Sequence, residues 1–374
     1  MKIGFSTFLL DGGQTGVATY IRELLRALQQ EDMENEYDLL MAQRDADLVP
    51  AANPNFRVSP VSPMACRSLP NVLWHNSVLA ARGKQYDVLH IPSARRIPLL
   101  KRTRVVATVH DLAAFAVDAK YDSARMFFNQ NVVPAMIRNA DHVIAVSEST
   151  KNDILRYTGY PEERITVIPS GINHELFNPV DPDVARERLM LAHGLEKPFF
   201  VYVSRLEHPG KNHVRLIEAF ERFKMENDSA HQLVLAGAEW NGAATVKARA
   251  ASSPVKDDIV FLGFVPEKSL PLLYSACDLM IFPSLFEGFG FPIVEALACG
   301  APVACSGTSA MQELAGDWAP TFDPTNVEAI FKALEKAVST RRDSQIRARG
   351  MEFASRYNWR ETARRVMEVY RSLA

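Results

Sequence analysis

The stretch LFEGFGFPIVEALACG (285–300) holds the densest chemistry in this 374-residue chain. Glu287 and Glu295 bracket a Gly-Phe-Gly-Phe-Pro turn. Carboxylates accept hydrogen bonds from sugar or ribose hydroxyls. Gly288 and Gly290 let backbone amides come close to a ligand. Pro292 suits the first turn of a helix and Gly300 can end it, which puts Glu295 in that first turn. A helix N-terminus offers free N–H groups and partial positive charge to phosphate. Polyol at both ends with diphosphate between them is the outline of a nucleotide sugar. A plain helix with acidic residues near its start explains either glutamate alone, but not the whole stretch.

A second stretch, VSRLEHPGKNHVRLIEAF (203–220), supplies cations. Arg205 follows a strand and Lys211 precedes a helix beginning near Asn212, so the two can serve one diphosphate. Neither this stretch nor 285–300 holds a DxD triplet of the kind that holds a divalent ion on diphosphate, so the expectation is no metal and no cofactor, with Arg and Lys neutralising the charge. The Gly-Lys pair does not make a Walker A loop, because Arg205 stands where its first glycine belongs. In DGGQTGVATYIRELL (11–25), Gly12, Gly13 and Gly16 precede a helix and form another phosphate-friendly turn. It lacks GxGxxG, which argues against a dinucleotide oxidoreductase. VVATVHDLAAF (105–115) ends a strand in His110-Asp111, where an imidazole can meet a substrate hydroxyl or carbonyl. No GxSxG elbow appears.

These residues need elements to hold them. Short apolar runs expected to be strands fall at 2–8, 37–42, 87–91, 104–111, 142–147 and 165–171, then at 198–206, 231–237, 259–265, 279–284 and 302–306. Most are continuously apolar, as parallel strands covered on both faces are. Amphipathic stretches such as 17–30 and 212–227 alternate with them, the pattern of doubly wound α/β domains. The pattern restarts after 171–197, which carries Pro179 and Pro182. Two Rossmann-like domains are therefore expected, 1–178 and 179–355, facing each other across a cleft. The amphipathic last helix, 358–373, can cap either domain. The candidate residues fall just after strands, where ligands of such sheets bind.

Composition narrows the function classes. A formal charge of −2 does not argue for nucleic acid, and no nucleic-acid motif is present. Cys66, Cys277, Cys299 and Cys305 show no CxxC or zinc spacing and read as reduced thiols of a cytosolic protein. The apolar opening is cut off by Asp11 and two glycines, so no signal peptide is expected, and no run is long enough for a membrane span. Residues 57–104 carry nine basic side chains (Arg57, Arg67, Arg82, Lys84, Arg95, Arg96, Lys101, Arg102, Arg104) against one acidic, Asp87. With Leu69, Val72, Leu73 and Trp74 they suggest a face that meets an anionic membrane surface or a lipid diphosphate. A solvated basic face with an ordinary helix stripe is the plainer alternative.

With those residues in view, the chain resembles the family 4 retaining glycosyltransferases of the GT-B fold, nearly end to end. The resemblance runs through GVATYIRELLRAL, His110-Asp111, VIAVSESTKNDI, VIPSGINHELF, VSRLEHPGKN, EGFGFPIVEALACGAPV, GDWAPTFDPTNVEAI and WRETARRVMEVY. Its most specific element is the Glu287-x7-Glu295 spacing. The resemblance implies a carboxy-terminal domain that binds a nucleoside-diphosphate sugar. Arg205 and Lys211 would hold the diphosphate, and Glu287 the donor-sugar hydroxyls. Gly288, Phe289, Gly290 and Phe291 would form the amide-bearing turn against sugar and phosphate, with Glu295 on the ribose. Gly16 would lie against the phosphate, and His110 would touch the sugar near the reacting carbon. His110, Glu287, Arg205 and Lys211 are thus the expected catalytic set. It further implies retention, no active-site metal, and a last helix (358–374) that returns to the first, acceptor-side domain. The expected activity is transfer of a hexose from GDP-mannose or a UDP-hexose to a glycan or polyprenyl-diphosphate-linked acceptor. The setting would be surface or exopolysaccharide synthesis, in the cytoplasm at the inner face of the membrane. A GT-B sugar-nucleotide epimerase and a non-catalytic sugar-nucleotide binder are the rival readings. Two departures stand out: Ala18 and Thr19 replace the usual Gly and Arg of the first glycine turn, and Phe291 replaces a common Leu.

Overall fold

The computed structural model describes residues 1–374 apart from 14, 51, 63–67, 119, 317–318, 341–343 and 374. The chain divides into two compact units, one of residues 1–115, 121–171 and 357–374, the other of 116–120 and 172–356. The division falls at 171/172, seven residues before the expected 178/179, so the Pro-bearing stretch before the helix Pro182–His193 groups with the second unit.

The first unit is built on β1 (Lys2–Ser6), β2 (Glu36–Ala42), β3 (Phe56–Val61), β4 (Val88–Ile91), β5 (Arg104–Val109), β6 (His142–Ala145) and β7 (Ile165–Val167). The second holds β8 (Phe199–Val203), β9 (Gln232–Ala236), β10 (Ile259–Gly263), β11 (Leu279–Phe282), β12 (Val303–Ser306) and β13 (Thr321–Phe322). The sheets run β3-β2-β1-β4-β5-β6-β7 and β10-β9-β8-β11-β12-β13, with every strand pair parallel. In each sheet the winding direction reverses once, between β1 and β4 and between β8 and β11. Loops diverge there, and the carboxyl ends of those strands open a crevice.

Both sheets are covered on both faces, so the central strands are mostly apolar. Ile3, Phe5, Val105, Val106 and Ala107 are fully buried in one, and Phe200, Val201, Tyr202, Met280 and Ile281 in the other. The sequence pattern missed β3 and β13. β3 reads FRVSPV, an edge strand holding a proline and two polar residues, which the apolar rule skips. β13 has only two residues.

The terminal helix Trp359–Ser372 packs in the first unit against the helix Gly16–Glu31. Glu31 holds it with Arg360 at 2.6 Å and Arg364 at 2.8 Å. Arg365 Nη2 donates to the Val167 carbonyl at 2.6 Å. Gly171 lets the chain pass beneath this helix, since a Cβ there would lie 2.3 Å from the Trp359 amide nitrogen.

Candidate active site

In the second unit the reversal between β8 and β11 gathers the charged loop residues. Lys211 follows β8 and Glu287 follows β11. The Leu285 amide donates to the Gly210 carbonyl at 2.9 Å, which ties the two loops together. Tyr202, on β8, donates its hydroxyl to the Lys211 carbonyl at 2.9 Å and shares a hydrogen bond of the same length with Ser284. The loop after β12 braces them further. Ser309 Oγ accepts from the Glu287 amide at 3.0 Å, and Thr308 donates to the Leu285 carbonyl at 3.2 Å.

On this frame Lys211 Nζ donates to Glu287 Oε1 at 2.5 Å, both side chains only 16% exposed. An ammonium has three N–H donors, so two remain for other oxygens. Arg205 is held apart from them. Its Nη2 donates to Glu207 Oε2 at 3.3 Å, and its guanidinium lies over the Trp240 ring, 4.7 Å from the centroid. Glu207 is buried and also meets Lys120 at 3.5 Å. Sequence reasoning missed Glu207, Trp240 and Lys120. The first stands two residues from Arg205, but nothing in the spacing marks the other two.

The glycine turn leads into the helix Phe291–Ala298, capped by Gly290 at φ 106°, a conformation that favours glycine. Phe289 is buried, and its ring meets that of half-buried Phe291 edge-on, centroids 5.1 Å apart. Gly288 is buried as well. The expectation for Glu295 needs correcting. It is the fifth residue of the helix, in the second turn, because the helix starts at Phe291. Its carboxyl is buried and accepts from the Tyr274 hydroxyl at 3.0 Å. Burial pushes its pKa up to about 8; the Tyr274 bond opposes this, and nearby Glu267 adds to it.

In the first unit Gly16 opens its helix, and Thr15 caps it by accepting from the Ala18 amide at 3.1 Å. His110 immediately follows β5. Its imidazole sits edge-on to Tyr20, centroids 4.8 Å apart. Burial pulls its pKa down to about 4, against the raising effects of Asp111 and of a hydrogen bond to the Pro92 carbonyl. Nε2 is buried without a partner among the described residues. The ring is therefore neutral at pH 7, with the proton on the nitrogen facing Pro92 and a lone pair on Nε2. Behind it, His90 bridges Tyr370 Oη (2.5 Å) and Thr108 Oγ1 (2.8 Å), and Thr108 reaches Tyr20 Oη at 3.2 Å.

Two family models divide the chain between them. Residues 14–176 match Glycosyltransferase Family 4, and residues 185–364 match Glycosyl transferases group 1. The chain is 27% identical over 271 residues to the O-antigen chain mannosyltransferase B of Escherichia coli, covering 72% of this chain and 71% of that one. It is 27% identical over 311 residues to the serotype-specific mannosyltransferase WbdA of the same organism; this spans 81% of this chain but only 37% of WbdA. Among solved structures, sucrose-phosphate synthase from Thermosynechococcus elongatus superposes over 100% of this chain and 99% of its own, with a TM-score of 0.81 at 21% identity. Anabaena HepE, solved in complex with UDP-glucose, superposes over the whole of both chains with a TM-score of 0.76 at 19% identity. The fold is GT-B. The chain belongs to the family 4 glycosyltransferases. It is an enzyme of a class that transfers a hexose with retention.

In this glycosyltransferase the described basic residues of 57–104 differ in exposure and pairing. Arg67 and the side chain of Leu69 lie outside the described residues. Val72 and Trp74 pack onto the core, while Leu73 is exposed. Lys101 pairs with Asp141 at 2.6 Å, and Arg57 lies 4.0 Å from Asp38. Arg82, Lys84, Arg102 and Arg104 are exposed, whereas Arg95 and Arg96 are half-buried after β4. Cys277, Cys299 and Cys305 are free and buried; Cys66 lies outside the described residues. Among the described residues no helix is long and apolar enough to cross a membrane.

Proposed function

We propose that this glycosyltransferase moves mannose from GDP-mannose onto a growing glycan of a surface polysaccharide, with a UDP-hexose as the competing donor. The Lys211–Glu287 contact at the β8/β11 reversal carries the site assignment. It sets a cation beside a carboxylate, each held by backbone contacts, which supports this reading. Lys211, with two N–H groups left, and Arg205 would take the diphosphate. Glu287 would accept from donor-sugar hydroxyls through its second oxygen. The amides of 288–291 would reach sugar and phosphate, and Glu295 the ribose. The mannosyltransferase names of the E. coli relatives favour mannose.

Breaking the bond from sugar to diphosphate puts negative charge on the departing phosphate and positive charge on the ring. Lys211, Arg205 and the start of the helix at Phe291 stabilise the first as it grows. Retention would then follow from attack on the face the phosphate leaves, with that phosphate taking the acceptor proton. His110, neutral and with a lone pair on Nε2, would accept from a donor-sugar hydroxyl and orient the ring rather than act as the base. In this reading the cations do without a metal. The protein would work at the inner face of the membrane, its exposed basic residues towards anionic lipid.

A thermal-shift panel of UDP-, GDP-, ADP- and dTDP-sugars, run in EDTA and again with magnesium, tests this. A ligand at 100 times its Kd adds about 2.7 kcal/mol, enough to stand out. GDP-mannose protecting in EDTA is the expected result. Protection by a different base alone overturns the donor, and protection only with magnesium overturns the metal-free cation site.

A further inference from the structure

The reversal between β1 and β4 opens a crevice in the first sheet as the β8/β11 reversal does in the second. The loop after β4 fills it with a short turn, Ala94–Arg96, capped by Ser93, whose hydroxyl accepts from the Arg95 amide at 3.3 Å. The two arginines of this turn differ sharply in company. Arg95 donates to Tyr121 Oη at 2.9 Å, lies over that ring at 5.1 Å, and is close to the Asp111 carboxylate. Among the described residues Arg96 has one bond, from Nη1 to the Arg95 carbonyl at 3.1 Å. Its Nε is buried without a partner, and no carboxylate of the described residues pairs with it.

We propose that Arg96, with Arg95 beside it, forms an anion subsite for a phosphate or diphosphate group carried by the acceptor. This rests on the transferase reading above. A half-buried cation whose nearest charge has the same sign is costly to keep, unless an anion completes it. Burial and Arg95 lower its pKa only to about 10, so it stays charged at neutral pH. His75 lies near it but brings no negative charge. That ring is neutral, bound to the Asn71 carbonyl at 2.8 Å and Ser6 Oγ at 3.0 Å. A planar guanidinium with free N–H groups matches the paired oxygens of a phosphate. The neighbouring Arg95 lines a small cavity with Asp111, which adjoins His110, and Arg96 is not among its lining residues. Arg57, Arg82, Lys84, Arg102 and Arg104 are exposed and Lys101 is paired with Asp141, so none of them shares this environment.

The test titrates inorganic diphosphate into the full chain by calorimetry with the nucleotide site saturated by GDP or UDP. One further binding event is expected. It should weaken by about tenfold or more in Arg96→Gln, weaken less in Arg96→Lys, and persist in Lys211→Gln. An unchanged circular dichroism spectrum and unchanged amide protection of β4 and β5 in Arg96→Gln show that the first unit is folded. No event above nucleotide saturation, or equal binding in Arg96→Gln, overturns the subsite. If neither nucleotide binds, the donor reading fails by itself. Diphosphate titrated alone into Arg96→Gln and Lys211→Gln then still decides the subsite. Two further arms find the source of the anion: zwitterionic vesicles with and without polyprenyl diphosphate, and a soluble hexose phosphate. Binding that is lost in Arg96→Gln in either arm supports the proposal and names the carrier, and binding indifferent to Arg96 in both overturns it.

Discussion

The strand ends of the two units handle charge in opposite ways. After β8 and β11, each cation meets a carboxylate: Lys211 with Glu287, and Arg205 and Lys120 with Glu207. After β4 and β5, rings and hydroxyls form a neutral chain, Tyr370–His90–Thr108–Tyr20 with His110 against it, and Arg96 is left uncompensated. In the reading proposed above, the cations of the second unit that would meet the donor diphosphate are stored as pairs, at modest cost in a partly dry site. Imidazoles that serve by accepting a hydrogen bond are kept neutral by burial. The contrast can be broken at several points.

The largest effect is expected at the pair itself. Lys211→Ala and Glu287→Ala should each lower kcat/KM by about a hundredfold or more, the scale of losing one electrostatic stabiliser of a leaving group. The double variant should fall little further, because the two side chains act as a unit. Steady-state kinetics on folded protein, checked by circular dichroism, reads this out. Near-wild-type turnover in both single variants would remove the site assignment.

A comparison of glycines comes next. A Cβ on Gly237 would lie 1.9 Å from the Ser204 carbonyl oxygen, beside Arg205, and backbone cannot give way there. Gly237→Ala should cost about 2 kcal/mol or more and displace the Arg205 loop. Gly12, at φ 78°, has nothing within 4 Å of such a Cβ. Gly12→Ala should cost only the strain of a left-handed residue, about 1 kcal/mol. Urea denaturation of both variants measures the difference, and equal losses would show that crowding is not what fixes the second-unit loop.

The two winding reversals explain how far the sequence could be read. Lys211 and Glu287 stand 76 residues apart, yet each follows a recognisable strand, so both were legible as cleft candidates, while their contact needs the strand order of the sheet. Glu295 falls one turn later than expected because the helix opens at Phe291, one residue before Pro292, and a proline in the first turn does not fix which residue comes first. Trp240 was invisible because it reaches Arg205 through the β8/β9 pairing, and one tryptophan in a polar loop carries no periodicity. Pairing within the basic segment was hidden for a related reason. Charge counted along the chain cannot separate Lys101, paired with Asp141, from Arg96, which stands uncompensated.

Smaller effects test the neutral chain. Tyr370→Phe leaves His90 Nδ1 buried and unpaired. It should destabilise the first unit by about 1–3 kcal/mol, while nucleotide binding by the second is unchanged. A loss of nucleotide binding equal to the loss of stability would mean that the terminal helix does more than complete the first core.

The slightest effect is one of sign. His75, His90 and His110 are held by burial at about 4, 3 and 4, below the ordinary 6.5. Between those values and 6.5 the unfolded chain binds protons that the folded chain refuses, so stability is full above 6.5 and falls as the pH drops. Glu295 does the reverse. Raised from 4.5 to about 8, it keeps its proton in the fold where the unfolded chain has lost it. Its contribution is greatest below 4.5 and declines as pH rises towards 8, by at most about 1.4 kcal/mol per pH unit. His213, in the second unit and held at about 3, adds an acid-side loss there too, so only the window above 6.5 belongs to Glu295 alone. From pH 6.5 to 8, exchange-corrected amide protection should therefore fall around β11 and the helix Phe291–Ala298 and stay level in β4 and β5. In Glu295→Gln, which cannot ionise, the fall should vanish. If the slope survives that change, the carboxyl is already ionised in the fold, and the hydrogen bond from Tyr274 outweighs its burial.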